Sequence, residues 1–137
     1  MMTIGLLGHS TIAKKSTIPA IEKCSQFMLG EIGTRDKRTG NSYEEILESD
    51  VDAIYVSLPV GLHYKWGKKV LESGKHLLLE KTFTETYRQA EELFDLAKEL
   101  NLSCMEALMY EFHPLQDQIE SLISDVGNIR SIEAHFG

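Results

Sequence analysis

A chain of 137 residues is sized for one domain, and its 42% hydrophobic and 26% charged residues are the balance of a soluble globular protein. At that length roughly two thirds of the unfolded chain's surface can be buried, so a core needs no disulfide or metal staple. The formal net charge of −7 argues against nucleic acid and anionic membrane surfaces as partners, because both recruit a basic surplus.

The densest basic cluster, Arg35, Lys37 and Arg38 interrupted by Asp36, is too short for a nucleic-acid footprint. No apolar run approaches the roughly 20 residues that cross a bilayer. Lys14 and Lys15 interrupt the apolar N-terminus early, which argues against a signal peptide. Cys24 and Cys104 lie far apart, outside any CxxC pair and among apolar neighbours, and read as buried reduced thiols. The expectation is a cytoplasmic protein with no metal site.

Residues 2–8 (MTIGLLG) form an apolar run ending at glycine, which suits a buried strand. A helix follows over 11–24, with a break or kink expected at Pro19. Residues 27–34 read as a second strand, weakened by Gly30 and Gly33. Asn41 and Ser42 open a short helix, and Ser42 and Glu45 have capping-box spacing. Residues 51–58 (VDAIYVSL) are the clearest strand, stopped by Pro59.

Leu62, Trp66, Val70 and Leu71 recur at helical spacing, and Gly74 supplies the stop. His76–Leu79 is a short apolar strand. Residues 84–100 make the strongest helix, with Tyr87, Ala90, Phe94, Ala97 and Leu100 expected as its apolar stripe. A strand over 102–105 and a helix marked by Phe112, Leu115, Ile119, Leu122 and Ile123 come next. Residues 129–136 alternate polar and apolar, as a half-exposed antiparallel strand does.

Strands alternating with helices predict an α/β fold: a doubly wound parallel-sheet Rossmann domain over 1–126. Residues 127–137 then read as the first strand of a missing second sheet domain. A sheet of this kind binds ligands at the carboxyl ends of its strands, near the switch in strand order. Each carboxyl end here carries residues of chemical interest.

The first strand runs into Gly8-His9-Ser10-Thr11-Ile12-Ala13, in the strand–turn–helix setting of the dinucleotide fingerprint G-x-G-x-x-G/A. Gly8 and Ala13 match, and Ser10 replaces the middle glycine. Gly8, Ser10, Thr11 and Ile12 are the expected pyrophosphate contacts, at a helix start that offers free amides and a positive partial charge. The motif alone does not separate a phosphate cradle from a glycine turn that merely joins strand to helix.

At the second strand's end, where an acid would bind ribose hydroxyls, stand Thr34 and Arg35. An arginine pairs with a 2′-phosphate, which tilts the reading towards NADP over NAD. Leu58, Pro59 and His63 lie on the ligand side after the third strand. After the fourth come Glu80 and Lys81. A lysine beside a nicotinamide ring can donate to a substrate oxygen or relay its proton, and Glu80 would orient it. The plain alternatives are a solvated Arg35, a helix-start His63 and a surface Glu80–Lys81 pair of little energetic weight.

In this order the pieces resemble the glucose–fructose oxidoreductase/inositol dehydrogenase family, Gfo/Idh/MocA. The matching stretches are Gly5-Leu6-Leu7-Gly8 with Ala13, Thr34-Arg35-Asp36, residues 43–47 (YEEIL), residues 52–56 (DAIYV) with Pro59 and His63, and residues 72–76 (ESGKH). Glu80-Lys81, Met105-Glu106-Ala107 and Phe112-His113-Pro114 complete the set. The resemblance implies a Rossmann domain joined to a C-terminal sheet domain. It implies hydride transfer between NAD(P) and a small-molecule substrate such as a sugar, polyol or related carbonyl compound, with Lys81 as the catalytic lysine. A homo-oligomer, or a separate chain supplying the C-terminal domain, fits the same picture.

The departures are Thr82 where the family's Glu-Lys-Pro has proline, Val60 for an asparagine, Ser10 for glycine, and Glu111 for an arginine before Phe-His-Pro. They keep a second reading open: a non-catalytic nucleotide-binding or protein-interaction module.

Overall fold

The structure, a computed structural model, describes residues 1–36 and 40–135. Lys37 and Arg38 of the basic cluster and Phe136 of the alternating segment lie outside the described residues. Two compact units are distinguished, Met1–Ala107 and Leu108–Gly137.

The first unit carries five parallel strands in the order β2-β1-β3-β4-β5: β1 Met2–Leu7, β2 Phe27–Gly33, β3 Ala53–Val56, β4 His76–Leu79 and β5 Cys104–Glu106. The helices between them are α1 Ile18–Lys23, α2 Tyr43–Glu48, α3 His63–Glu72 and α4 Tyr87–Glu99. From β1 the chain first goes to one side (β2) and then to the other (β3, β4, β5). The order therefore reverses beside β1, as in a doubly wound sheet.

β3 is buried at all four positions and is sandwiched between β1 and β4, which explains its unbroken apolar run. One core cluster gathers Leu7, Ile46, Ile54, Val56, Trp66, Leu79 and Leu93; the other gathers Leu6, Ala13, Ile21 and Tyr55. β2 pairs with β1 through a register irregularity between Ile4 and Leu6, and Gly33 closes its end. This glycine admits a neighbour, since a Cβ there would stand 2.8 Å from Ile46 Cγ1.

The structure corrects several expectations. The break near Pro19 takes the form of a π-helical stretch, Ala13–Thr17, running directly into α1, whose first turn holds Pro19. The β3 strand spans Ala53–Val56, while just before it the Asp52 amide donates to Thr3 O of β1 at 2.9 Å and the Asp52 carbonyl accepts from the His76 amide at 3.1 Å. β5 spans Cys104–Glu106, not 102–105. α4 begins at Tyr87 because Thr86 caps it, accepting the Gln89 amide at 3.3 Å.

The α4 stripe is also rotated from expectation. Leu93 and Ala97 are its buried residues, Tyr87 is 80% exposed, and Phe94 is half exposed while stacked on Phe83 at 4.9 Å. Cys24 and Cys104 are free but only half-buried. The Ser42–Glu45 capping box forms in both directions.

In the second unit a 3-10 turn, Met109–Phe112, precedes α5, Leu115–Val126, and Gly127 ends it at φ 77°. Residues 128–135 form no strand. An alternating segment acquires ladder hydrogen bonds only beside another strand. No helix of the described residues is long and apolar enough to cross a membrane.

Candidate functional site

Strand register aligns the carboxyl ends. Leu7 pairs with Gly33 and Val56, Val56 with Leu79, and Leu79 with Glu106. Backbone bonds continue one step past the strands: Gly8 N donates to Gly33 O at 2.9 Å, Ser57 N to Leu7 O at 2.9 Å, Glu80 N to Val56 O at 3.0 Å and Ala107 N to Leu79 O at 2.8 Å. The glycine turn, Thr34-Arg35, Ser57-Leu58-Pro59 and Glu80-Lys81 therefore all begin along one edge of the sheet.

Gly8 has φ +95°, and a Cβ there would meet Ser57 O at 2.8 Å and Leu58 Cδ2 at 2.9 Å. Only glycine fits both the dihedral and the space. Ser57 is buried, and its hydroxyl donates to Gly8 O at 3.2 Å, which fastens the β1 turn to the β3 turn. Ser10 Oγ accepts the Ala13 amide at 3.1 Å. A hydroxyl that accepts still has its own hydrogen to give. The residue replacing the middle glycine thus caps the helix and keeps a donor for a phosphate oxygen. Ala13 is fully buried, which the close helix–sheet contact of this motif requires. Thr11 and Ile12 are exposed at the start of the helix, where first-turn amides have no partner within it. These features fit a pyrophosphate.

After β2, Thr34 is half-buried; its amide donates to Asn41 O and its hydroxyl to Asp36 O, each at 2.8 Å. Arg35 is exposed beside it. After β3, Leu58 is half-buried and Pro59 exposed. His63 opens α3 but is only 1% exposed. Its Nε2 lies 2.7 Å from Leu58 O, and its Nδ1 lies 2.9 Å from Thr82 O and 3.3 Å from Phe83 O.

After β4, Glu80 is buried and Lys81 exposed. The Tyr55 hydroxyl donates to Glu80 Oε1 at 2.6 Å, and the Lys81 amide donates to Glu80 Oε2 at 3.2 Å. Burial, reinforced by that carboxylate, pushes the Tyr55 phenol well above its ordinary pKa. The Phe83 amide donates to Glu106 Oε1 at 2.7 Å. Among the described residues no group of three His, Cys, Asp or Glu side chains could hold a metal ion.

Tyr55, Ser57 and Glu106 were not among the site residues expected from sequence. Tyr55 reads as one apolar strand position among several, and only tertiary placement reveals that its hydroxyl meets Glu80. Glu106 stands in the Met105-Glu106-Ala107 stretch that carries part of the resemblance, but nothing local to it shows that its carboxylate meets the Phe83 amide.

The family model for the Gfo/Idh/MocA oxidoreductase family, NAD-binding Rossmann fold, matches residues 3–108. The D-xylose 1-dehydrogenase (NADP(+)) 2 of Haloferax volcanii is 33% identical, over 98% of this chain and 46% of its own length. The dTDP-3,4-didehydro-2,6-dideoxy-alpha-D-glucose 3-reductase of Actinomadura kijaniata is 36% identical, over 97% of this chain and 45% of its own. A crystal structure of KijD10, a 3-ketoreductase from Actinomadura kijaniata, in complex with TDP-benzene and NADP, superposes with a TM-score of 0.83 at 35% identity. It covers 93% of this chain and 44% of that one. The chain spans about half the length of the curated relatives it matches. Family match and geometry agree, and the chain belongs to the Gfo/Idh/MocA oxidoreductases through their NAD-binding Rossmann fold.

Proposed function

We propose that this chain is the cofactor-binding part of an NADP-dependent oxidoreductase acting on a sugar or a related carbonyl or hydroxyl compound. The observation that carries the reading is the flush row of strand ends, with Gly8 packed against Ser57 and Leu58 where no side chain fits. Gly8, Ser10, Thr11 and Ile12 would hold the pyrophosphate, Thr34 and Arg35 the adenosine ribose and its 2′-phosphate, and Leu58, Pro59 and Glu80 the nicotinamide end; His63, expected there from sequence, is sealed from solvent with both ring nitrogens facing backbone carbonyls and stands behind the site. The cofactor supplies or accepts the hydride. Lys81 holds a proton against the substrate oxygen and passes it on as that oxygen changes between carbonyl and hydroxyl. The relatives' names, a xylose dehydrogenase and a dTDP-sugar reductase, support a sugar substrate.

Residues 127–137 would begin a second domain that completes the substrate site, in this polypeptide, a second copy or a separate chain. The free thiols of Cys24 and Cys104 suit a reducing, cytoplasmic compartment. The test is a fluorescence titration with NADPH and NADH. NADPH should bind more tightly. Arg35→Ala should erase that preference, at about 1.5–3 kcal/mol for a charged hydrogen bond, roughly ten- to a hundredfold in affinity. Absence of binding by either dinucleotide at millimolar concentration would overturn the reading.

Thr82 in place of the motif's proline favours a second reading, a nucleotide-binding module without catalysis. In an assembly that turns over substrate, Lys81→Ala should abolish most of the activity under the first reading and leave it unchanged under the second.

A further inference from the structure

We propose that His63 is a positioning residue for Lys81, one that does by hydrogen bonding what a proline at position 82 would do by ring closure. The inference rests on the reading of Lys81 as the proton-handling residue. His63 lies in a different strand–helix connection from the lysine, and its ring is sealed from solvent. Both ring nitrogens face only carbonyl oxygens, Leu58 on one side and Thr82 and Phe83 on the other. Carbonyl oxygens only accept, so whichever nitrogen carries hydrogen donates into the backbone. The ring has no nitrogen left for the dinucleotide. A hydrogen on Nδ1 ties α3 to the turn after β4, and one on Nε2 ties α3 to the loop after β3.

That turn is gripped on every side. Glu80 Oε2 accepts the Lys81 amide, His63 faces the Thr82 and Phe83 carbonyls, and Glu106 Oε1 accepts the Phe83 amide. Glu80 is itself held by the Tyr55 hydroxyl. Phe83 is buried against Phe94, which pins the far end. The Lys81 side chain, by contrast, is exposed. Its amine is aimed by where its backbone is held and not by packing around the side chain. A proline at 82 would restrict φ at that residue; Thr82 imposes no such limit, and the His63 bonds fall on Thr82 and its neighbour.

The experiment uses the 137-residue chain, isotopically labelled and assigned by NMR, as wild type, His63→Leu, and His63→Leu with Thr82→Pro. Three readouts are taken: the amide resonances of residues 81–83, the acylation rate of the Lys81 amine relative to that of Lys75, and NADPH affinity. His63→Leu should displace the 81–83 amides and change Lys81 acylation while Lys75 stays constant. NADPH affinity should stay within about threefold, less than the roughly tenfold that losing a direct bond costs. Thr82→Pro in the same chain should return Lys81 acylation towards wild type, which restored stability alone would not do.

Unmoved 81–83 amides and Lys81 acylation in His63→Leu would overturn the proposal, and so would a tenfold or greater loss of NADPH affinity with the turn unmoved. If His63→Leu does not fold, His63→Gln takes its place. Its side-chain amide keeps a donor group, and a smaller displacement of the same three amides is expected. A wild-type chain that fails to bind NADPH would defeat the cofactor reading and leave the turn readouts to decide this one.

Discussion

Two turns at the edge of the same sheet are built by opposite means. The turn after β1 is shaped by exclusion: Gly8 sits at φ +95° with Ser57 O and Leu58 Cδ2 closing the space where a side chain would be. The turn after β4 is shaped by attachment. Four polar groups of Lys81, Thr82 and Phe83 are met by Glu80, His63 and Glu106. A turn made by exclusion is written at its own position. A turn made by attachment is written in residues elsewhere in the chain, and its own sequence, Glu80-Lys81-Thr82, says little about its shape.

The comparison can be broken at either turn. The largest effect is expected at the first. Gly8→Ala adds backbone strain to a clash with a backbone oxygen, so it should cost about 2–4 kcal/mol of stability, measured by urea denaturation, and abolish NADPH binding. Backbone cannot give way as a flexible side chain can. A loss below about 0.5 kcal/mol, the range of a neutral surface change, would show the turn is not sterically set.

Tyr55→Phe breaks the second turn at its deepest anchor and removes little volume. It leaves buried Glu80 Oε1 without the Tyr55 donor, a cost of about 1–3 kcal/mol. Being an acid with a raised pKa, Tyr55 contributes stability that is full below the ordinary phenol value and lost as pH rises above it. The wild type should therefore lose stability above about pH 10 faster than Tyr55→Phe does. Parallel curves would mean the Tyr55–Glu80 bond is not formed in solution.

The smallest effect sharpens the comparison by lying outside both turns. Burial pushes the Cys104 thiol in β5 from its ordinary 9.0 up to about 11. The same sign applies: its contribution is full below pH 9.0 and lost as pH rises towards 11. Chemical denaturation between those values should show a decline that shrinks in Cys104→Ala, with the amides of residues 81–83 unmoved.

Much of the fold was legible from local pattern. The apolar runs ending in Gly8 and Pro59, the Ser42–Glu45 box and the His76–Leu79 strand all stand where periodicity and capping put them. Legibility failed where an element's face depends on a neighbour. The α4 stripe contains Leu93 and not Tyr87, because what packs against the helix, not its own periodicity, selects among adjacent faces. The break expected at Pro19 is present, and only its form, a π-helical stretch spread over the preceding residues, was not legible. At the site, Gly8, Ser10 and Lys81 could be picked out from motif spacing, whereas Tyr55 and Glu106 could not.

What the sequence determined by itself was the alternation of strands and helices, the glycine where no side chain fits, and the basic residue after β2. These depend on dihedral preference and short-range periodicity, which are properties of a residue and its neighbours. Tertiary structure alone decided that His63, 19 residues before Thr82, faces its carbonyl, and that Tyr55, 25 residues before Glu80, donates to its carboxylate. Hydrogen bonds are directional and act over about 3 Å, so which groups meet is fixed only when parallel strands are brought into register and their ends aligned.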